Sequence, residues 1–365
     1  MNSKKIVFYV NSLIKAGAQR VILNLTESLL SKGHQVTIVT TTVYETEYEL
    51  PKGANRIISD ITDDEITSNR IENLKRRFCK LRNIWKSEQP DVIISFIGKN
   101  NFMAILTAWG LKIPVITSVR GEPGEEYNSR MSRILAKTLM GKSTGIVLQT
   151  PDAKAFFPKW IQKKSIILEN PLNPDFIEKY YEGDRDDEIV TVGRIDANKN
   201  QKLIIDAFIK IADEFPKMKL ILYGDGEDRK KLMEYVEKTT YQDRISLPGA
   251  VNNVKERIRK AKLFILSSNT EGMPNALMEA LALGIPCIST DCPCGGPKML
   301  MQDKENGILV PVGDVDAMAA GMRAILKDNE LWHKYSRNAY RITKDLNPET
   351  VNKNWEKYLF SVMKK

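Results

Sequence analysis

Two glutamates in the stretch TEGMPNALMEALALGIPCIST, residues 270–290, have side chains that could bind the hydroxyl groups of a ligand. The apolar run before the stretch predicts a strand, so Glu271 is expected in the following loop and Glu279 in the second turn of a helix. An ionised carboxylate only accepts hydrogen bonds, and a pair of hydroxyls on a ribose or a hexose is a suitable partner. This chemistry would suit a sugar-binding site.

The start of this helix lacks an obvious capping residue. Pro274 suits the first helical position, Met273 before it has no side-chain acceptor, and Gly284 with Pro286 marks the end. Unless Asn275 caps the helix, its first backbone N–H groups and the positive end of its dipole are available to an anion. Taken alone, the stretch fits either an anion site beside two carboxylates or a surface helix with an irregular start.

Two cations follow another predicted strand, in VGRIDANKN, residues 192–200. Arg194 and Lys199 both fall in the loop before the next helix. An arginine can bind phosphate oxygens through two N–H groups, and a lysine adds a point charge nearby. The pair predicts a pyrophosphate clamp, with a solvated charged loop as the alternative.

Two glycine-containing turns also follow strands. Gly17, in NSLIKAGAQR, is expected in the loop after the first strand, where a glycine lets a ligand approach the backbone closely. The stretch YGDGEDRKKL, residues 223–232, lacks the G-x-G-x-x-G pattern, and a tight turn explains its glycines equally well. Neither turn is a specific signal by itself.

The elements that must position these residues alternate between strand and helix. Continuous apolar strands such as KIVFYV, DVIISFI and TGIVLQT are typical of parallel sheets buried on both faces. After a connection rich in proline and acidic residues, the alternation starts again at EIVTVG. We predict two doubly wound α/β domains, residues 1–172 and 173–344, facing a cleft, with a helix of about 345–365 packed back onto the first. Ligands of such sheets bind beyond the carboxyl ends of the strands, where the residues above fall.

The composition excludes several classes of protein. The 365 residues are 42% apolar and 28% charged, and no apolar run approaches the roughly 20 residues that span a bilayer. IVFYV near the N-terminus is too short for a signal peptide, so we expect a cytoplasmic protein. Four cysteines make no disulfide framework, and two histidines nearly exclude a Ser-His-Asp triad or a histidine-built metal site.

The net charge of +9 is unevenly distributed. Residues 1–175 hold 25 Lys/Arg against 17 Asp/Glu, whereas the remainder holds 30 against 29. Residues 70–89 predict an amphipathic helix. Its apolar stripe would be Ile71, Leu74, Phe78, Leu81 and Trp85, and its basic residues Arg76, Arg77, Lys80, Arg82 and Lys86. A core-packed helix with a solvated basic face is the simpler interpretation. The functional hypothesis is docking on an anionic leaflet, at about 1 kcal/mol per cation.

Taken in this order and with these spacings, the E-x7-E pair, the G-R…K of VGRIDANKN and the glycine-containing first loop resemble glycosyltransferase family 4, of GT-B fold. The resemblance runs along the whole chain. It implies a retaining, metal-independent hexosyltransferase that binds a nucleotide-diphosphate sugar mainly through its second domain. The Asp-x-Asp pairs at 184/186 and 314/316 are better explained structurally, the latter by a helix cap at Asp314.

The resemblance also implies site residues. Arg194 and Lys199 would hold the diphosphate and its developing charge, Glu271 would contact the sugar hydroxyls, and Glu279 would bind the ribose hydroxyls. Backbone contacts to phosphate and sugar would come from the residues between the two glutamates, namely Gly272, Met273, Pro274 and Asn275.

The sequence departs from the family pattern at two places. Many members have a histidine after the strand that corresponds to PVITSV, and SVRGEP has Arg120 there. Arg120 could bind phosphate or acceptor, but an arginine cannot act as a base at neutral pH. In a retaining front-side mechanism the leaving phosphate can take the acceptor proton, so the loss of the histidine need not abolish activity. In DCPCGGPKML, Met299 replaces a glutamate common in relatives.

The expected function is transfer of a hexose or N-acetylhexosamine from a UDP-sugar to a lipid-linked glycan in surface polysaccharide synthesis. No cofactor is expected besides this co-substrate, and the enzyme would be peripheral on the cytoplasmic face of the membrane. One alternative is a UDP-sugar 2-epimerase of the same fold, whose acid and base groups this histidine-poor sequence scarcely supplies. The other is a basic nucleic-acid-binding protein, for which no module is visible.

Overall fold

The computed structural model describes residues 3–363 and divides into two compact units. One comprises residues 3–171 together with 349–363, and the other comprises residues 172–348. Each unit is built on one parallel sheet, with helices between most successive strands. The predicted pair of α/β sheets is confirmed, because the continuous apolar strands need cover on both faces and the intervening helices supply it.

Within residues 3–363, the first unit contains seven strands. The seven strands are β1 (Lys5–Val10), β2 (Gln35–Thr40), β3 (Asn55–Ile58), β4 (Val92–Phe96), β5 (Val115–Ser118), β6 (Gly145–Leu148) and β7 (Ser165–Ile167). The helices are α1 (Gly17–Ser31), α2 (Arg70–Glu88), α3 (Gly98–Ala108), α4 (Pro123–Glu126), α5 (Arg130–Leu139), α6 (Pro151–Ala155) and α7 (Lys159–Gln162). All strand pairs are parallel, in the order β3-β2-β1-β4-β5-β6-β7.

The second unit has six described strands. They are β8 (Asp186–Val192), β9 (Lys219–Tyr223), β10 (Ile245–Gly249), β11 (Ala261–Leu266), β12 (Cys287–Thr290) and β13 (Gly307–Val310). The helices are α8 (Gln201–Ile209), α9 (Arg229–Val236), α10 (Val254–Ile258), α11 (Asn275–Ala282), α12 (Gly296–Leu300), α13 (Val315–Lys327), α14 (Asn329–Ala339) and α15 (Ile342–Asp345). A last helix, α16 (Pro348–Met363), packs with the first unit through the buried Trp355.

The strand order of the second sheet decides which loops meet. It runs β10-β9-β8-β11-β12-β13, so the chain leaves β8 in one direction and later returns to β11 on the other side. The loops after β8 and β11 are therefore neighbours, although residues 193 and 267 are far apart in sequence. Such a reversal point is where open α/β sheets bind ligands.

The predicted amphipathic helix is α2, but its apolar stripe is only partly buried. Leu81 and Trp85 are in the core, whereas Ile71 and Leu74 are exposed. α2, with 19 residues, packs against α3, which has only 11. The apolar stripe of α2 is therefore longer than the helix that covers it. Among residues 3–363, none of the helices combines the length and the apolar character needed to cross a membrane.

Candidate active site

Hydrogen bonds centred on Asn198 join the loops that follow β8 and β11. The Asn198 side-chain oxygen accepts from the Thr270 N–H at 3.1 Å and from its hydroxyl at 3.0 Å, and the side-chain nitrogen donates to the Thr270 carbonyl at 3.1 Å. The Asn269 N–H donates to the Asn198 carbonyl at 2.7 Å. The two loops are thus held in one fixed arrangement.

This arrangement brings Lys199 and Glu271 together. Lys199 Nζ donates to Glu271 Oε1, and the buried Ser268 hydroxyl donates to the same oxygen at 2.6 Å. Ser268 is itself held by the Thr290 hydroxyl, which donates to its carbonyl at 2.6 Å. An ammonium group and a carboxylate therefore lie side by side, mostly buried, at the carboxyl edge of the sheet.

Arg194 lies in the same loop as Lys199 but has a different environment. Its side chain is 70% exposed, and Nε donates to Asp196 Oδ2 at 2.5 Å. The other Asp196 oxygen accepts the Lys199 backbone N–H at 2.9 Å. The aspartate, which the sequence analysis did not single out, thus fixes the shape of the cationic loop and leaves the Arg194 guanidinium largely in solvent.

Two glycines in the loop after β9 let that loop pack closely against the loop after β8, which carries Arg194 and Lys199. A Cβ on Gly224 would lie 1.8 Å from the Gly193 carbonyl oxygen, and a Cβ on Gly226 would lie 2.2 Å from that of Ile195. Both glycines also have φ values, +141° and +157°, that side chains disfavour. The Gly-Asp-Gly turn looked unspecific in the sequence, and its reason is this close backbone contact.

The turn between the two glutamates is packed from the other side by the loop after β12. A Cβ on Gly296 would lie 1.4 Å from the Gly272 carbonyl oxygen. The Glu271 N–H donates to the Pro293 carbonyl at 2.6 Å, and the Cys294 N–H donates back to the Glu271 carbonyl at 3.0 Å. Glu271 is therefore held through its backbone as well as its carboxylate.

Helix α11 begins one residue later than predicted. Pro274 has extended backbone angles, φ −75° and ψ 109°, and its carbonyl accepts the first helical bond from Met278 at 3.2 Å, so it is the N-cap and Asn275 is the first helical residue. Within the described chain no side chain caps the helix. It ends at Ala282, and Gly284, with φ +64°, is the predicted glycine just beyond the end.

The residues from Gly272 to Glu279 combine a buried turn with a buried acid. Gly272, Met273 and Pro274 are buried and Asn275 is partly exposed. Glu279 is only 4% exposed, in the second turn of α11. A carboxyl group so deep in a helix that packs on the sheet is unusual, and this supports a role beyond solubility.

The cysteine thiols here are unsuited to nucleophilic chemistry. Burial, and secondarily the charge of Glu271, raises the pKa of Cys292 to about 12. Because the thiolate is the reactive form, this thiol is inert at neutral pH. No group of three or more His, Cys, Asp or Glu side chains suited to a metal ion occurs among residues 3–363. Asp314 caps α13 as predicted, accepting from the Ala317 N–H at 2.8 Å.

The two candidate residues of the first unit lie after β1 and β5. Gly17 is the first residue of α1 and not part of the preceding loop, which corrects the prediction. The loop is shorter because the Ala16 N–H already closes a turn on the Ile14 carbonyl at 2.7 Å. Gly17 therefore belongs to a helix start rather than to a flexible turn.

Arg120 is packed into its own unit. Its guanidinium lies over the rings of Phe96 and Trp355, 5.2 Å and 5.7 Å from their centres, and donates to the Asn170 side chain. Burial lowers the pKa of Arg120 to about 9, against the opposite effect of the Glu126 charge, so the group stays charged at pH 7. These contacts attach α16 to the sheet edge, and whether Arg120 also binds substrate stays a prediction.

The structure thus assembles most of the predicted residues within one unit. Lys199, Glu271 and the turn before α11 lie on loops that hydrogen bonds join, with Arg194 at their edge. The residues that hold these loops were not among the predicted site residues. They are Asp196, Asn198, Gly224, Gly226 and Ser268, of which only the glycines gave a sequence signal.

Known proteins resemble the chain along nearly its whole length. Residues 16–175 match the family described as Glycosyltransferase Family 4, and residues 173–342 match Glycosyl transferases group 1. A Campylobacter jejuni alpha-1,4-N-acetyl-D-galactosaminyltransferase of GalNAc-alpha-(1->4)-GalNAc-alpha-(1->3)-diNAcBac-PP-undecaprenol is 27% identical over 361 residues, 98% of this chain and 99% of that protein.

A second relative and a solved structure agree with this match. The N-acetylgalactosamine-N,N'-diacetylbacillosaminyl-diphospho-undecaprenol 4-alpha-N-acetylgalactosaminyltransferase of C. jejuni is 25% identical over 371 residues, 98% of this chain and 99% of that protein. The crystal structure of Anabaena Alr3699/HepE in complex with UDP and glucose has a TM-score of 0.83 at 14% identity, covering 98% of this chain and all of that one. The predicted GT-B fold is confirmed. Because the two family matches together cover residues 16–342, the chain is a glycosyltransferase that belongs to family 4.

Proposed function

We propose that the protein transfers a hexose or N-acetylhexosamine from a UDP-sugar to a lipid-linked glycan, with retention of the anomeric configuration. The observation that carries the proposal is the Lys199–Glu271 pair beside the start of α11, at the reversal point of the second sheet. A cation, a helix start and two carboxylates in one place suit a molecule that has both phosphates and hydroxyl groups.

Lys199 exchanges partners when the donor binds. The diphosphate brings negative charge to the loop after β8, where Arg194 is exposed and Lys199 is paired with Glu271. As the sugar–phosphate bond breaks, both cations stabilise the charge that develops on the leaving diphosphate. Ser268 continues to donate to Glu271, so the carboxylate keeps its position and can accept hydrogen bonds from the sugar hydroxyls.

The remaining roles follow from what these residues can donate and accept. Glu279 accepts hydrogen bonds from the ribose hydroxyls, and the backbone from Gly272 to Asn275 contacts phosphate and sugar. The neighbouring Cys292 thiol is neutral, so it does not act as a nucleophile. The leaving phosphate takes the proton of the acceptor hydroxyl. Since Arg194 and Lys199 supply positive charge at the leaving group, the reaction requires no resident metal or cofactor.

The relatives support the identity of donor and acceptor. Two C. jejuni enzymes that match the full chain attach N-acetylgalactosamine in alpha linkage to undecaprenyl-diphosphate glycans. The Anabaena structure of the same fold binds UDP. UDP-N-acetylgalactosamine is therefore the first donor to test. A lipid-linked acceptor also implies that the enzyme works at the surface of the membrane, on its cytoplasmic face.

The donor site is tested by thermal stabilisation with UDP-, GDP- and ADP-sugars, alongside Glu279→Ala. A ligand at 100 times its dissociation constant stabilises the folded form by about 2.7 kcal/mol. We expect a shift with UDP-sugars that the variant loses. A shift with another nucleotide alone would contradict the choice of UDP, and no shift with any sugar would contradict the assigned site. The anomeric configuration of the product, read by NMR, tests retention, and activity in the presence of EDTA tests metal independence.

A further inference from the structure

Helix α5 exposes an apolar stripe. Met131, Ile134 and Leu135 are all exposed, and their i, i+3, i+4 spacing puts them on one face of the helix. The opposite side is anchored in the unit by the fully buried Ala136 and by Met140, just beyond the helix. The helix is therefore firmly attached while three large apolar side chains lie in water.

Trp160 is a further exposed apolar side chain near the C-terminal end of α5. Its side chain is about half exposed, and its ring packs on Gly141, where an added Cβ would lie 1.8 Å from a ring carbon. Gly141 follows α5 closely, so the tryptophan lies next to the end of the helix. We call Met131, Ile134, Leu135 and Trp160 the α5 surface.

The segment that carries the α5 surface is rich in positive charge. Residues 127–164 hold eight Lys/Arg and a single acidic residue, Asp152, and three glutamates in and just before α4, at 122, 125 and 126, directly precede them. Four of the eight cations contact groups of the chain: Arg133, Lys154 and Lys164 donate to backbone carbonyls, and Lys137 lies over the Phe156 ring. The exposed cations Arg130, Lys142, Lys159 and Lys163 form no ion pair with any residue between 3 and 363. Lys142 also lines an open cavity of about 310 Å³ together with Lys112 and Trp109, so two cations and an exposed aromatic ring border one concavity.

The basic residues of α2 are, by contrast, already engaged. Four of the five cations that suggested membrane docking bind groups of the chain itself: Arg76 pairs with Glu72, Arg77 with Asp60, Lys80 donates to the Asp60 carbonyl, and Arg82 donates to the Thr107 and Trp109 carbonyls. Their release would cost those contacts. The basic face of α2 is therefore a poorer candidate for membrane docking than the α5 surface.

We propose that the α5 surface docks the first unit on a bilayer that contains anionic phospholipid. The four apolar side chains insert at the boundary between head groups and acyl chains, and the surrounding cations bind phosphates. A second copy of the chain is a poorer occupant, because a two-fold contact would set the same cations against each other. The inference rests on the proposed function, since a lipid-linked acceptor resides in such a bilayer.

The test is co-sedimentation with vesicles of phosphatidylcholine and phosphatidylglycerol in equal parts, and with phosphatidylcholine alone. We expect the wild-type protein to bind the anionic vesicles and to be released by high salt. Met131→Glu with Leu135→Glu should weaken binding about tenfold or more, because the apolar contact is lost and two repulsive charges are added. The matched control is Ile71→Glu with Leu74→Glu, the exposed apolar pair of α2, which should change binding less than about twofold.

A second pair of substitutions tests the cations. Lys142→Gln with Lys159→Gln removes two unpaired charges and should weaken binding about 30-fold at low salt, with little effect at high salt. All these side chains are exposed, so unchanged melting temperatures should accompany the losses.

Three results would overturn the proposal. They are a wild-type protein that ignores anionic vesicles, an α2 pair that loses as much binding as the α5 pair, and a solution dimer that the α5 pair makes monomeric. Transfer to a water-soluble acceptor analogue separates this proposal from the proposed function. The α5 variants should keep that activity, whereas its absence in the wild type, with vesicle binding intact, would contradict the transferase assignment and leave docking in place.

Discussion

The charged groups of the second unit's site loops are paired and mostly held by the protein, whereas four cations around α5 in the first unit, Arg130, Lys142, Lys159 and Lys163, are exposed and form no ion pair within residues 3–363. Lys199 is bonded to Glu271 and Arg194 to Asp196, while Arg130, Lys142 and Lys159 project into solvent among exposed apolar side chains. A site for a small ligand gains from groups fixed in advance, because less freedom is lost on binding. A surface that meets a fluid bilayer needs no such fixed geometry.

The two regions also differ in what a ligand must do to bind. In the site it must replace an existing partner of a charged group, whereas at the α5 surface it meets charged groups that have no ion-pair partner among residues 3–363. In the site, the donor has to compete with Glu271 for Lys199, so its affinity reflects an exchange of partners. At Arg130, Lys142 and Lys159, a phosphate would add a partner where the described chain supplies no ion pair. Site substitutions should therefore change catalysis, and α5 substitutions should change location.

The largest expected difference between the two units is in cysteine reactivity, because Cys292 beside the site is buried and Cys79 in the first unit is exposed. With a pKa of about 12, only roughly one Cys292 thiol in three thousand is ionised at pH 8.5. Iodoacetamide should alkylate Cys79, which is exposed on α2, about 1,000 or more times faster than it alkylates Cys292. Mass spectrometry of peptides from the native protein measures both rates.

The pH dependence of that reaction has a definite sign. Because the pKa of Cys292 is raised, its thiolate fraction should still grow about tenfold per pH unit above pH 8.5, in contrast to a thiol that is already ionised there. Rapid modification of Cys292 at pH 8 in the folded protein would mean that the loop after β12 opens readily, and the site would then be less fixed than described.

Removal of one charge from the paired site should abolish most activity. Glu271→Gln keeps the shape of the side chain but weakens the contacts to Lys199 and Ser268. We expect kcat/KM to fall about 100- to 1,000-fold, which is the loss typical of one group that stabilises a transition state. Initial rates with a soluble acceptor analogue measure the effect.

The control for this prediction is an exposed carboxylate of the first unit. Glu125→Gln changes a solvent-exposed residue of α4 and should leave kcat/KM within about twofold. If Glu271→Gln lost less than tenfold, the Lys199–Glu271 pair would be structural, and the comparison between a catalytic site and a docking surface would fail.

The glycine contact between site loops should affect stability more than activity of folded molecules. Gly224→Ala puts a Cβ into the Gly193 carbonyl and should lower the free energy of unfolding by about 2–4 kcal/mol. Urea denaturation measures the change. The matched control is Gly313→Ala, which also has a positive φ, +77°, but no atom within 4 Å of the added Cβ, so only about 1 kcal/mol of backbone strain is expected. Equal losses in the two variants would show that backbone strain, and not the loop contact, explains Gly224.

Local sequence patterns predicted much of the fold and part of the site. The apolar strands indicated parallel sheets, Asp314 indicated a cap, and Gly284 indicated the end of α11. The positions of Arg194 and Glu271 just after strands were also correct. Each of these depends on neighbours within a few residues, which a single sequence displays directly.

The strand order was not accessible to such patterns, and the geometry of the site depends on it. Lys199 and Glu271 meet because β8 and β11 are adjacent, and nothing in the period of either strand specifies that pairing. The same holds for Gly224, whose partner is a carbonyl 31 positions earlier. The roles of Asn198 and Ser268 likewise became visible only through their distant contacts.

The sequence by itself thus determined that the chain forms two parallel sheets, with cations and carboxylates at the strand ends and a basic excess in the first half. Only the tertiary structure decided which charges are paired and which remain available. The basic residues of α2 and the cations around α5 look equally exposed in the sequence. Asp60 and the carbonyls of Thr107 and Trp109 neutralise or bind the former. Around α5, Arg133, Lys154 and Lys164 donate to backbone carbonyls, whereas the described chain pairs no acid with Arg130, Lys142, Lys159 or Lys163. Pairing of charges is a matter of distance in space, which chain folding sets and local sequence does not.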